Sequence, residues 1–441
     1  MSRSPYGGPS VFGYETDAPL SRVAGISVHT SPLATLGGKD AGGMNLYVRE
    51  LACHLAALGL PVDLFTRRTS PDTPETVTIC PNVNVIAITA GPPEPLPKTE
   101  LFPLLPEFAE QMVLYSLRQG VRYDVVHAHY WLSGWVAHLL RRYWDTPFVQ
   151  MFHTTAHMKN AVSGVADREP EQRIRVEGQL FGLADSLIAA NPNERADLIW
   201  RHRTPTEKVC TVPPGVDTDL FRPLDQATCR AAIGLDTGAK VVLFVGRVDP
   251  IKGIDTLLEA APLVASNRSH VPPTYLFVGG DLDAAGTPVG PLAEVARRVD
   301  GLGLTDRFRL VGSQPQNELP CYYGAADVVA VPSRYESFGL VAVEAMACGV
   351  PVVASRVGGM SFTVEEDVSG FLVPMGSAPD LAAALSRVLS DEPLRRRMAH
   401  DARVAAGRFS WPAVAAAILH VYERLATGHR ANLCCDEDLY A

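Results

Sequence analysis

The sequence predicts an α/β protein built from two Rossmann-like parallel-sheet domains facing a cleft. Three observations carry that expectation. Short β-branched runs alternate with amphipathic stretches along the whole chain, the pattern left by parallel strands covered with helices. A length of 441 residues exceeds one ordinary hydrophobic core, which makes two domains the default. A Pro213-Pro214-Gly215 break then separates the strands into two series.

In the first series the apolar runs predict strands at 23–28, 62–66, 83–88, 125–128, 148–152 and 186–189. A helix over 44–58 opens after a glycine pair, and a second helical region covers 101–118. The second series predicts strands at 241–245, 274–278, 308–311, 328–331 and 350–354. The domains are expected at 20–214 and 215–408, followed by a helix at 409–428 and a polar tail at 429–441. Ligands of such sheets lie beyond the carboxyl ends of the strands, so residues there are the first candidates for chemistry.

Composition removes several classes. A net charge of -9 argues against a broad nucleic-acid surface, which needs a basic face. The 8 cysteines are scattered with no C-x-x-C pair, which reads as reduced thiols rather than a disulfide framework or zinc ribbon. The first residues are polar and lack the apolar region of a signal peptide. No apolar run approaches the roughly 18 residues that cross a bilayer. The expectation is a soluble cytoplasmic protein with small-molecule substrates, no nucleic acid and no integral membrane segment; a homodimer stays open.

The stretch VPSRYESFGLVAVEAMACGVPVVAS (331–355) is the most informative. A strand runs into a loop carrying Glu336, then a Gly339-Leu340 helix start, a second acid at Glu344 and another strand. Backbone N–H groups and a positive dipole end at such a mouth suit a phosphate. Acids on either side can hold hydroxyls. Eight residues on one helix turn through about 800°, so the acids do not share a face; Glu336 fits the loop and Glu344 the second turn. Alone, two such glutamates are commonplace helix-start partners.

VGRVDPIKG (245–253) also follows a strand, with Arg247 and Lys252 on a turn marked by Pro250 and Gly253. Paired cations there can take up charge developing on a leaving diphosphate without a metal. The bland alternative is two solvated surface cations. In the first domain, Gly42 and Gly43 open a helix and would let backbone approach a diphosphate from across the cleft. That glycine run is neither a P-loop nor G-x-G-x-x-G. His127-x-His129 and His153-x-x-x-His157 have metal-ligand spacing, so a His-liganded metal hydrolase is a rival, although no H-E-x-x-H accompanies them. The Asp281-Leu282-Asp283 triplet reads as a loop. A retaining-glycosidase pair of carboxylates would leave the two cations unexplained.

With the segments ISVHTSPLATLGGKDAGGMNLYVREL, VHAHYWLSGWV and FHTTAHMKN, these motifs make the chain resemble the family 4 glycosyltransferases, a retaining family with the GT-B fold, over about residues 23–426. The likeness sharpens towards the mycothiol-pathway inositol-phosphate and sucrose-phosphate synthase subgroups. It implies an acceptor-binding first domain, a nucleotide-sugar-binding second domain and a last helix returning to the first. It also implies a metal-independent, retaining transfer from a UDP-sugar, with no cofactor required. Implied catalytic residues are His153, Arg247, Lys252 and Glu336. Phe338, Gly339, Leu340 and Glu344 join Gly42 and Gly43 around the donor. Asn45, Lys98, Tyr130, Thr154 and Arg173 match the acceptor side, where a Lys, an Arg and two hydroxyls make a suitable phosphate clamp. The wording around 150–158 departs from the mycothiol subgroup, which leaves the acceptor open between an inositol phosphate and fructose 6-phosphate.

Overall fold

Valine- and isoleucine-rich runs hidden on both faces become parallel strands. The computed structural model describes residues 20–34, 43–162, 168–267 and 269–427. Gly42 and the predicted tail 429–441 lie outside the described residues. The first sheet holds β1 (Val23–Ile26), β2 (Val62–Arg67), β3 (Thr76–Cys80), β4 (Val83–Ile88), β5 (Val125–His129), β6 (Phe148–Met151), β7 (Ser186–Ala189) and β8 (Val209–Thr211). Their order is β3-β4-β2-β1-β5-β6-β7-β8, with only β3–β4 antiparallel.

The second series opens with β9 (Val241–Val245) and β10 (Thr274–Val278) and a small hairpin of β11 (Asp281–Leu282) and β12 (Pro288–Val289). It continues with β13 (Phe308–Gly312), β14 (Val328–Val331), β15 (Val352–Ser355) and β16 (Gly370–Val373). The main strands form a parallel sheet in the order β13-β10-β9-β14-β15-β16. Two parallel sheets flanked by helices make this a GT-B fold.

Each sheet has one place where the chain switches direction across the strand order: β1 beside β5, and β9 beside β14. Open α/β sheets form their crevices at such points. The loops leaving these four strands carry His29, Tyr130, Arg247 and Glu336 respectively, so topology alone gathers most of the site.

Three expectations need correction. Asp281 and Leu282 belong to the hairpin rather than a plain loop, and Asp283 tightens its turn by accepting the amides of Ala285 and Thr287. β3, β8 and β16 are additional strands. The cysteines are not all thiols: Cys53 is disulfide-bonded to Cys80, with Cα atoms 6.1 Å apart across 27 residues of sequence. The helix Gly43–Ala57 brings them together by laying its second half near the edge hairpin, which no local spacing could announce.

The last helix, Trp411–Ala426, packs on the helix Gly43–Ala57, so it has crossed to the first lobe. The two crossing strands run side by side, with the Val216 amide donating to Phe409 O at 2.7 Å. The Tyr422 hydroxyl meets His127 Nδ1 at 2.6 Å, joining this helix to β5. No helix among the described residues is long and apolar enough to cross a membrane.

Candidate active site

On the second lobe, the helix Leu340–Ala347 starts from Gly339, whose φ of +91° turns the chain sharply into the first turn. No side chain caps that start. The leading N–H groups of any helix lack an intrahelical acceptor, so the amides at this mouth are available to an anion and the dipole favours one. Arg247 leaves β9 exposed towards solvent and forms no ion pair among the described residues. Lys252 sits on a tight turn, Pro250–Lys252, which Asp249 caps by accepting the Ile251 amide at 2.9 Å.

Gly253 ends that turn at φ +64°, and a Cβ on it would lie 1.9 Å from Pro332 O. Only glycine allows the 250–253 turn to press on the loop after β14. The approach brings Lys252 Nζ to Glu336 Oε2 at 2.6 Å. Glu336 is on the loop and Glu344 on the helix, as the spacing required. Across the cleft, a Cβ on Gly43 would stand 2.9 Å from Leu340, so the start of the first-lobe helix faces the mouth.

Glu344 lies on the second turn of that helix. It is buried, and its carboxylate accepts the Tyr323 hydroxyl at 2.6 Å. Burial pushes its carboxyl up to about 7, against the opposing Tyr323 hydrogen bond. The folded state therefore holds this proton more tightly than the unfolded chain, whose ordinary value is 4.5. The stability contributed is full below 4.5 and is lost as pH rises through about 7. Glu344→Gln is expected to remove a decline on the order of 3 kcal/mol across that window. A variant whose melting temperature falls with pH as steeply as the parent's would contradict this.

On the first lobe, the acceptor-side candidates Tyr130, Thr154 and Arg173 come together. Arg173 stacks over the Tyr130 ring with 4.7 Å from guanidinium carbon to centroid, donates to Tyr130 Oη at 3.0 Å, and reaches Thr154 O. Its charge is already balanced: Nε donates to Glu177 Oε1 at 2.6 Å, and Glu169 lies at 2.9 Å. Glu177 also accepts the Ala156 amide at 2.7 Å, tying this pair to the start of the preceding helix, Ala156–Val162. Lys98 is exposed on the short turn Lys98–Glu100 and bears electrostatically on His29. Asn45 is buried, and its amide nitrogen donates to Thr30 Oγ1 and Ser31 O, holding the loop after β1. Tyr130 and His153 both take positive φ, +75° and +61°. Such non-glycine strain persists where surrounding structure enforces it, often at functional sites.

His29 was not among the sequence candidates. Its ring lies 4.3 Å from that of Tyr130, and its buried Nδ1 has no hydrogen-bond partner among the described residues. Its position just past β1, at the switch point, was the available signal. Burial, then Lys98, His153 and Arg173, hold it well below the usual imidazole range. His153 faces His129, Nε2 to Nδ1 at 3.1 Å, and burial lowers both; His153 falls to about 3. These imidazoles are neutral at physiological pH. His157 is exposed instead. His129 and His153 hydrogen-bond one another and His127 bonds Tyr422, and no group of three metal-ligating side chains gathers among the described residues.

Two parallel-sheet lobes, with a cation-flanked helix mouth on one and a polar, charged cluster on the other, define a glycosyltransferase of the GT-B class. The model for "Glycosyltransferase Family 4" matches residues 41–220, and that for "Glycosyl transferases group 1" matches residues 225–405. A D-inositol 3-phosphate glycosyltransferase of Thermobispora bispora is 41% identical over 93% of this chain and 96% of its own. One from Kribbella flavida is 43% identical over 93% of this chain and 97% of its own. A solved sucrose-phosphate synthase from Thermosynechococcus elongatus superposes with a TM-score of 0.81 at 38% identity, covering 92% of this chain and all of that one. The chain belongs to this family of glycosyltransferases.

Proposed function

We propose that the enzyme transfers a glycosyl group from a UDP-sugar, with retention of configuration, to a hydroxyl of an inositol phosphate-type acceptor. The observation that carries the reading is the Lys252–Glu336 pair beside the uncapped helix mouth, facing Gly43 across the cleft. In this reading the bond from the anomeric carbon to the diphosphate breaks. The acceptor oxygen adds on the same face, and its proton passes to the departing phosphate oxygen. Arg247, Lys252 and the amides of Phe338, Gly339 and Leu340 take up the charge that develops. His153, neutral, orients the sugar through a hydroxyl rather than acting as a nucleophile. Tyr130, Thr154, Lys98 and Arg173 form the acceptor-phosphate side. Closure of the lobes brings the two sides into reacting geometry.

The relatives named for D-inositol 3-phosphate support this acceptor class. The likeness to a sucrose-phosphate synthase supports a second reading, in which UDP-glucose and fructose 6-phosphate are the substrates. UDP release measured with UDP-glucose and UDP-N-acetylglucosamine, each against inositol phosphate and fructose 6-phosphate, separates the two. The expected result is release that depends on inositol phosphate, with a product of retained anomeric configuration. Turnover only with fructose 6-phosphate would establish the second reading, and no release with any pair would sink both.

A further inference from the structure

The segment leaving β7 reaches across to the other lobe. Its short helix, Pro192–Ala196, is capped by Asn191, whose Oδ1 accepts the Glu194 amide at 2.9 Å. Glu194 reaches back to accept the Ala190 amide at 2.9 Å, a reciprocal arrangement of the capping-box kind. With its oxygen committed to the cap, Asn191 turns its NH2 group outward. Nδ2 donates to Ser337 O at 2.5 Å, and neighbouring Asn193 donates to Gly358 O at 2.8 Å. Asn191 and Glu194 are both 2% exposed, so the cap is rigidly set.

The receiving loop is held from its own lobe as well. The Gly359 amide donates to Glu336 O at 3.0 Å, and a Cβ on Gly359 would lie 2.2 Å from Ser337 O and 2.9 Å from Asn191 Nδ2. Space here is reserved for the hydrogen bond itself. In a planar trans peptide the carbonyl of one residue and the N–H of the next point in opposite directions. Pulling Ser337 O towards Asn191 therefore aims the Phe338 N–H the other way.

We propose that Asn191 is a positioning residue: its cross-lobe hydrogen bond to Ser337 O orients the Phe338 amide towards the donor diphosphate. This rests on the donor site assigned above. Because the partners belong to different lobes, the bond exists only while the lobes are together. Closure and preparation of the amide donor are then one event. Asn193, two residues further along, adds a second cross-lobe hydrogen bond, to Gly358 O.

Asn191→Ser is the discriminating variant, since serine is as good a helix cap but too short to reach Ser337. The expected result is a melting temperature close to the parent's, kcat lower by about 10–100-fold, and UDP affinity weakened by about tenfold, with acceptor KM little changed. Asn191→Asp keeps the cap oxygen and the shape but removes the donor, and carries the test if the serine variant melts early. UDP alone is the binding probe, by titration calorimetry. Parental kcat and UDP affinity in both variants would overturn the latch and leave the transferase reading intact. A parent that binds UDP yet releases none from any UDP-sugar would overturn the transferase reading, while the calorimetric comparison still decides Asn191. A parent that does not bind UDP overturns both.

Discussion

Lys252→Ala is expected to lower kcat by about 10²–10³, the scale for losing one preorganised charge-stabilising group. The ammonium is fixed by construction. The turn that carries it is capped by Asp249, closed by a glycine that no other residue could replace, and pressed against the loop after β14. Its partner Glu336 is 2.6 Å away, so the variant also leaves a carboxylate without its counter-ion. Both side chains are partly solvated, and the fold should survive the change with little loss of stability. Lys252→Arg should recover only part of the rate, because a planar fork does not reproduce a compact ammonium at this spot. Steady-state turnover with saturating donor is the check. Near-parental kcat in the alanine variant would remove Lys252 from the chemistry.

Arg173→Ala is expected to act first on stability. Arg173 and Glu177 have side chains only 3% exposed and form one ion pair, so removing the cation strands a buried carboxylate. Breaking such a pair from one side costs about 3–5 kcal/mol. Burial already lifts Glu177 above the ordinary carboxylate range even with the guanidinium beside it, which shows how poorly the site tolerates a bare charge. Denaturant unfolding measures the loss. The double variant Arg173→Met with Glu177→Gln removes both charges and is expected to recover most of it. Its activity then isolates the other role. Continued use of phosphorylated acceptors by the double variant would confine Arg173 to scaffolding, whereas a selective loss would place it at the acceptor phosphate.

Much of this was legible because apolar runs at fixed places read directly as parallel strands. Runs such as Val241–Val245, Thr274–Val278 and Ser186–Ala189 fall where their composition puts them. β3 escaped because its residues are partly exposed, and β8 because three residues give too little pattern. The cations, Glu336 and the glycine-started helix were legible as strand-end motifs. Side-chain direction was not. That Glu344 meets the Tyr323 hydroxyl depends on the rotation of its helix, which the 336–344 spacing leaves undetermined. The Cys53–Cys80 bond and the Asn191–Ser337 contact join residues distant in sequence, and only the packing of whole elements brings them together.

A structure of the enzyme with UDP bound, obtained with and without a divalent cation, tests the donor assignment most directly. The diphosphate is expected between Arg247 and Lys252, against the amides of Phe338, Gly339 and Leu340, in both conditions. A nucleotide seated elsewhere, or one whose phosphates reach the protein only through a divalent ion, would contradict it.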